Sequence, residues 1–114
     1  MISFNQIGHI SGGGSPNYLK GAYDVTLCTL ETKLHALVTA FNDNALVIFD
    51  VSDPVNPTYK GKLSGAGSPN YLSNPCSVRC FTKSGVDYAL VTSFGDDAVV
   101  IVNVTDPTAP AKVS

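Results

Sequence analysis

The chain is nearly the same sequence twice, 53 residues apart and without a gap. Gly14-Ser15-Pro16-Asn17-Tyr18-Leu19 returns as Gly67-Ser68-Pro69-Asn70-Tyr71-Leu72. Ala36-Leu37-Val38-Thr39 returns as Ala89-Leu90-Val91-Thr92, and Asp53-Pro54 with Pro57 returns as Asp106-Pro107 with Pro110. Placing residues 8–60 on 61–113 pairs 24 identical residues out of 53. A tandem period of this size marks one supersecondary unit that cannot bury its apolar face alone, so its copies have to stack.

Within each unit the apolar residues come in short runs divided by Gly, Pro, Asn, Asp and Ser, the pattern of strands and turns. No helical period persists beyond a turn. A Gly/Ser/Pro/Asn-rich loop (11–24 and 64–77) precedes a strand near 25–30 and 78–83. A second strand follows at 35–41 and 88–94, and a third at 45–51 and 98–104. The third strand, Ala45-Leu46-Val47-Ile48-Phe49-Asp50-Val51, is almost continuously apolar, which predicts burial on both faces. Asp53-Pro54-Val55-Asn56-Pro57 then turns the chain into a fourth strand near 58–64, with the prolines where a missing N–H costs least.

Four short antiparallel strands in a unit of this length describe a β-propeller blade. The expected fold class is therefore all-β, two four-stranded antiparallel blades, with repeat 1 at 8–60 and repeat 2 at 61–113. Residues 1–7 align with 54–60 and are read as the leading part of a fourth strand, so that about 4–11 would supply what the second blade lacks. Two blades cannot close a ring, and bare β edges and apolar faces invite pairing. The ring is expected to close by homo-oligomerisation through a heterologous interface. A homotrimer gives six blades and a homotetramer eight; six is favoured. The competing expectation is a structural repeat fragment of a larger surface protein.

Leu46-Val47-Ile48-Phe49-Asp50 resembles the signature of LVIVD-repeat proteins, departing at Phe49. Val99-Val100-Ile101-Val102-Asn103 resembles it less closely, departing at its first and last positions. The Asp-Pro turns that follow, and the Ala-Leu-Val-Thr strands that precede, are similar to that family as well. The resemblance covers about 25–64 and 78–110. It implies propeller-like blades and a secreted or cell-surface setting. It implies no defined enzyme activity and supplies no catalytic residues.

In a propeller the loop entering each blade shares a face with the turn between its second and third strands. That would gather the GSPNYL loop with Phe41-Asn42-Asp43-Asn44 or Phe94-Gly95-Asp96-Asp97 around a central opening. Asn17, Tyr18, Asn70, Tyr71, Asp43 and Asp96 are the candidate ligand-binding residues, because amides fix orientation while an amphipathic ring stacks on a sugar or peptide. The opposing expectation is that Gly-Ser-Pro-Asn makes a required turn while Tyr and Leu plug between blades. Asp43, Asp96 and Asp97 could offer oxygens to calcium, but two carboxylates in a hairpin turn are ordinary turn chemistry, and no metal is expected. Asp53 and Asp106 are expected to bond the backbone of their own Asp-Pro turns.

Catalysis has little support. His9 and His35 align with Lys62 and Tyr88, so neither belongs to the repeated unit. Gly12-Gly13-Gly14 lacks the Lys and the helix of a phosphate loop. No cofactor is expected. Seven Lys and Arg spread without a cluster argue against nucleic acid, and no apolar run approaches a membrane helix. Met1–Gln6 lacks the charged and long apolar regions of a signal peptide. Only 14% of residues are charged, against roughly 25% in soluble domains, which points to surface buried against other copies. Cys28, Cys76 and Cys80 do not recur between repeats, so they are expected to be buried free thiols rather than a bridge. The reading is a non-enzymatic binding or scaffold module, whose sharper form is a multivalent carbohydrate or peptide binder. The alternative is an enzyme with a site formed across subunits at the central channel.

Overall fold

In the computed structural model, which describes residues 4–114, each repeat makes one antiparallel sheet. The first contains β1 (Ala22–Leu30), β2 (Lys33–Ala40), β3 (Ala45–Asp50) and β4 (Thr58–Ser64), in that spatial order. The second contains β5 (Pro75–Lys83), β6 (Val86–Ser93), β7 (Ala98–Asn103) and β8 (Ala111–Lys112), again in order. The described residues contain no helix. Strands fall where the sequence places them, except that β1 and β5 each start three residues earlier and β2 and β6 two residues earlier.

Local chemistry sets the hairpins. Leu30 pairs with Lys33 across a two-residue turn whose Glu31 and Thr32 have φ of 52° and 65°. Ser84 and Gly85, at 53° and 78°, repeat it in the second sheet. Positive φ at both central residues matches the right-handed strand twist.

Register shows which residues share a face. Cys28 lies opposite His35 and Leu37 opposite Ile48, so these point one way, here termed forward. Val25, Val38 and Val47 also pair in a row and point to the rear. The larger core joins the forward face of the first sheet (Cys28, Leu30, Leu37, Leu46, Ile48) to the rear face of the second (Val78, Ala89, Val91, Val100, Val102). The sheets thus stack forward face to rear face. The third strands record the consequence. All five residues Ala45–Phe49 of β3 are buried, as expected, whereas β7 alternates and leaves Val99 bare because nothing covers its forward side.

The cysteine expectation is corrected by the same geometry. Cys28 and Cys80 form a disulfide that ties β1 to β5, with Cα atoms 6.2 Å apart; Cys76 is free. Equivalent repeat positions point the same way and cannot meet across a forward-to-rear interface. A bridge between blades needs cysteines of opposite parity, and Cys80 is equivalent to Leu27, the neighbour of Cys28.

Residues 1–3 of the expected leading strand lie outside the described residues, and residues 4–10 form no ladder. Two of their contacts nevertheless repeat those of β4. A Cβ at Gly8 would strike the Pro54 carbonyl oxygen, as one at Gly61 in β4 would strike that of Pro107. Ile10 packs on the first sheet as its equivalent Leu63 packs on the second.

Candidate functional site

The GSPNYL loops are held by the residues proposed as ligand contacts. Asp43 Oδ2 accepts the N–H groups of Gly14 and Lys20, both at 2.9 Å. Asp96 Oδ2 accepts those of Gly67 and Ser73, at 2.8 and 2.9 Å. The turn after each second strand therefore clasps the loop that enters its own blade. The Asn17 amide donates to the Ser11 carbonyl at 2.8 Å, and Asn70 to that of Ser64 at 2.9 Å, closing each loop at its base. Tyr18 and Tyr71 sit at φ of 57° and 55°, a region costly to a bulky residue. Their N–H groups donate to Gly14 O and Gly67 O at 2.7 Å, which holds the conformation.

The side chains then diverge. Leu72 is fully buried in the core between the sheets, as the plugging expectation has it. Tyr18 lies along the rear of the first sheet, 6.4 Å from the Tyr59 ring on β4, with Lys62 Nζ 4.6 Å from its ring centre. Burial, and secondarily Tyr18, push the Tyr59 phenol above its usual range. Tyr71 is 40% exposed, with Lys112 Nζ 5.3 Å from its ring centre. The structure thus places Asn17, Asp43 and Tyr18, and likewise Asn70, Asp96 and Tyr71, around one loop each. The rings stand beside β4 and β8, the strands farthest from β1 and β5. Among the described residues, no three His, Cys, Asp or Glu are grouped to hold a metal ion.

The Asp-Pro turns behave as expected. Asp53 Oδ1 accepts the Val55 N–H at 3.1 Å, and Asp106 Oδ1 that of Thr108 at 3.0 Å. One residue type gains an explanation. Asp50 Oδ1 accepts the Ser52 N–H at 2.8 Å, and Asn103 Oδ1 that of Thr105 at 3.0 Å. The position needs a side-chain oxygen two residues before an N–H, so Asp and Asn serve alike.

A polar clasp crosses between the sheets. Asp24 Oδ2 accepts the Val78 N–H at 3.0 Å and Arg79 Nη1 at 3.1 Å, and Thr39 donates its hydroxyl to the Cys76 carbonyl at 2.8 Å. The Val78 N–H is the main reason the Asp24 carboxyl is held below the usual range, with burial opposing it and Arg79 adding a smaller pull. A depressed carboxyl stabilises the fold above its unfolded-state pKa, and that contribution is lost as pH falls through the folded-state value. The denaturation midpoint is therefore expected to fall more steeply below about pH 4 in the native chain than in Asp24→Asn. Parallel profiles for the two would remove Asp24 from the acid response.

Two open concavities lie on the outer faces. One, about 390 Å³, is lined by Cys76, Thr92, Ser93, Phe94, Asp97, Ala98 and Val99. The other, about 250 Å³, is lined by Ala22, Tyr23, Asp24, Val25 and Val38. All six second-sheet residues within Thr92–Val99 that line the first cavity have buried or half-buried equivalents in Thr39–Leu46, where the second repeat seats against the first.

The decisive stretch runs from the middle of β2 through β3 and the Asp-Pro turn to the end of β4. Residues 38–64 match the LVIVD repeat. No curated protein matches the chain. The LVIVD segment is the outer three-strand part of the first blade-like sheet. Its apolar row Leu46–Phe49 is the strand buried on both faces, and its Asp50 caps the following turn. The second sheet repeats this arrangement from Val91 onward, and the loops carrying the candidate tyrosines lie outside the LVIVD segment.

Proposed function

We propose that this chain is a non-enzymatic propeller-type scaffold and binding module whose ring is completed by further copies of itself, three copies giving six blades. One observation carries the reading: the two blade-like sheets stack forward face to rear face, which leaves Leu90 and Val99 exposed on the forward face of the second sheet and Val25 and Leu27 exposed on the β1 side of the first sheet's rear face. Stacking of that sense has no internal end, and a heterologous interface closes only as a ring or continues as a filament. The scaffold role has the stronger support, because the Asn17, Asn70, Asp43 and Asp96 side chains are engaged in loop closure. A sugar or peptide at the loop face would meet the Tyr18 and Tyr71 rings with their overlying lysines, repeated around the ring with a gain in avidity. Light scattering behind a sizing column tests the assembly: three or four chain masses are expected, and a stable soluble monomer overturns it. A glycan and peptide array probed with that oligomer tests the ligand role, which uniform absence of binding removes.

A further inference from the structure

Resting on that reading, we propose that the interface between copies repeats the internal blade interface residue for residue. The forward face of the second sheet docks on the rear face of a second copy's first sheet, Phe81 over Leu27. Leu19 of that copy enters the 390 Å³ cavity, and its His9–Ser11 segment adds a strand to β7 along Ala98–Val100.

Five of the exposed apolar residues fall on these two faces in matching places. Phe81, Leu90 and Val99, the equivalents of buried Cys28, Leu37 and Leu46, are 41, 38 and 62% exposed. Val25 and Leu27, the equivalents of buried Val78 and half-buried Cys80, are 55 and 60% exposed. Large bare apolar patches mark interaction surfaces. Here the occupant of each patch is specified by its counterpart, because the same two faces already meet once inside the chain.

The cavity follows the same rule. Around Thr39–Leu46 the equivalent space is taken by the second repeat, with Leu72 buried and the Asn74 N–H donating to Asn44 Oδ1 at 3.0 Å. Moving this contact by one repeat seats Leu19 and Gly21 of a second copy against Phe94–Val99. Leu19 is only half-buried within its own chain, so it has surface left to bury.

The sheet edge agrees. β8 pairs with β7 at Val102 and Asn103, the Val113 N–H donates on to the Ile101 carbonyl at 2.7 Å, and Ala98–Val100 have no ladder partner on that side among the described residues. In the first sheet the same edge, Ala45–Ile48, pairs with Ser64 through Gly61. Gly8–Ser11 is equivalent to Gly61–Ser64 and already sits on the first sheet as that strand sits on the second. In a second copy it would therefore bring His9 opposite Val100 and Ile10 opposite Val99.

The two interfaces differ in strength. The internal one carries the Cys28–Cys80 bridge and the Asp24–Arg79 pair. Between copies these positions hold Phe81 with Leu27, and Ser77 with Thr26. The seam between chains is therefore apolar and reversible, and the two-blade unit assembles and separates intact.

The test is Leu27→Cys with Phe81→Cys, in a Cys76→Ser background, oxidised and run without reductant, with bonded peptides mapped by mass spectrometry. Both positions are exposed in the single chain, so the unit still folds. A covalent ladder ending at the native oligomer's size is expected, through peptides joining positions 27 and 81, while each single cysteine variant gives no such ladder. An oligomer of native mass by light scattering that forms no 27–81 bond overturns this seam and leaves the ring reading standing. A monomer by light scattering overturns both.

Discussion

Replacing Cys28 and Cys80 together by alanine is expected to lower the stability of the two-blade unit by about 4 kcal/mol. The bridge closes a loop of sequence separation 52. Loop closure restricts the unfolded chain by about 3 kcal/mol for short loops and nearly 5 for loops of a hundred residues. The bridged atoms also belong to the core between the sheets, so their removal leaves space there and adds to the loss. Urea denaturation measures it. Reductant should bring the native chain most of the way down to the variant's midpoint, the remainder being the space the alanines leave, and should leave the variant unmoved. Equal midpoints for the oxidised and reduced native chain would show that the bridge contributes nothing to holding the blades together.

Leu72→Ala is expected to cost about 3 kcal/mol, within the range for emptying a fully buried leucine site. Leu19→Ala makes a sharper comparison, because Leu19 holds the same place in the first repeat and is only half-buried in a single chain. In dilute, dissociated protein its cost should be well under half that of Leu72→Ala. In the assembled oligomer the two costs should converge, since the proposed docking would bury Leu19 as the internal interface buries Leu72. Denaturation at two protein concentrations on either side of assembly provides the measurement. A Leu19→Ala cost that stays small in the oligomer means that this leucine is not seated between copies.

Much of the fold is readable from local pattern. The strands, the two-residue hairpins and the Asp-Pro turns depend on residues within a few positions of each other, and the repeat states each of them twice. The roles of Asp53 and Asp106 were legible for that reason: a carboxylate two residues before a free N–H finds its partner without help from the rest of the chain. The candidate site was only half legible. GSPNYL stands out because it recurs, but recurrence is equally served by a ligand pocket and by a turn that every blade needs. The partner of Asp43 is Gly14, 29 residues away, and no local signal announces it.

The cysteines mark the boundary most clearly. Comparing equivalent positions argued against a bridge, because neither Cys28 nor Cys80 recurs. The one-residue offset between them in the repeat frame was the available signal. It becomes meaningful only once the sheets are known to meet forward face to rear face.

What the sequence determined by itself is the unit: a 53-residue, four-stranded blade with turns at defined places, because strand alternation and turn chemistry act over short distances. What the tertiary structure decided is which face of one unit meets which face of the next. That choice turned two unmatched cysteines into a bond, turned conspicuous amides and carboxylates into loop clasps, and left Val25 and Leu27 on one face and Phe81 and Val99 on another bare. It depends on the sense in which whole sheets stack, and no short-range pattern in the chain encodes that sense.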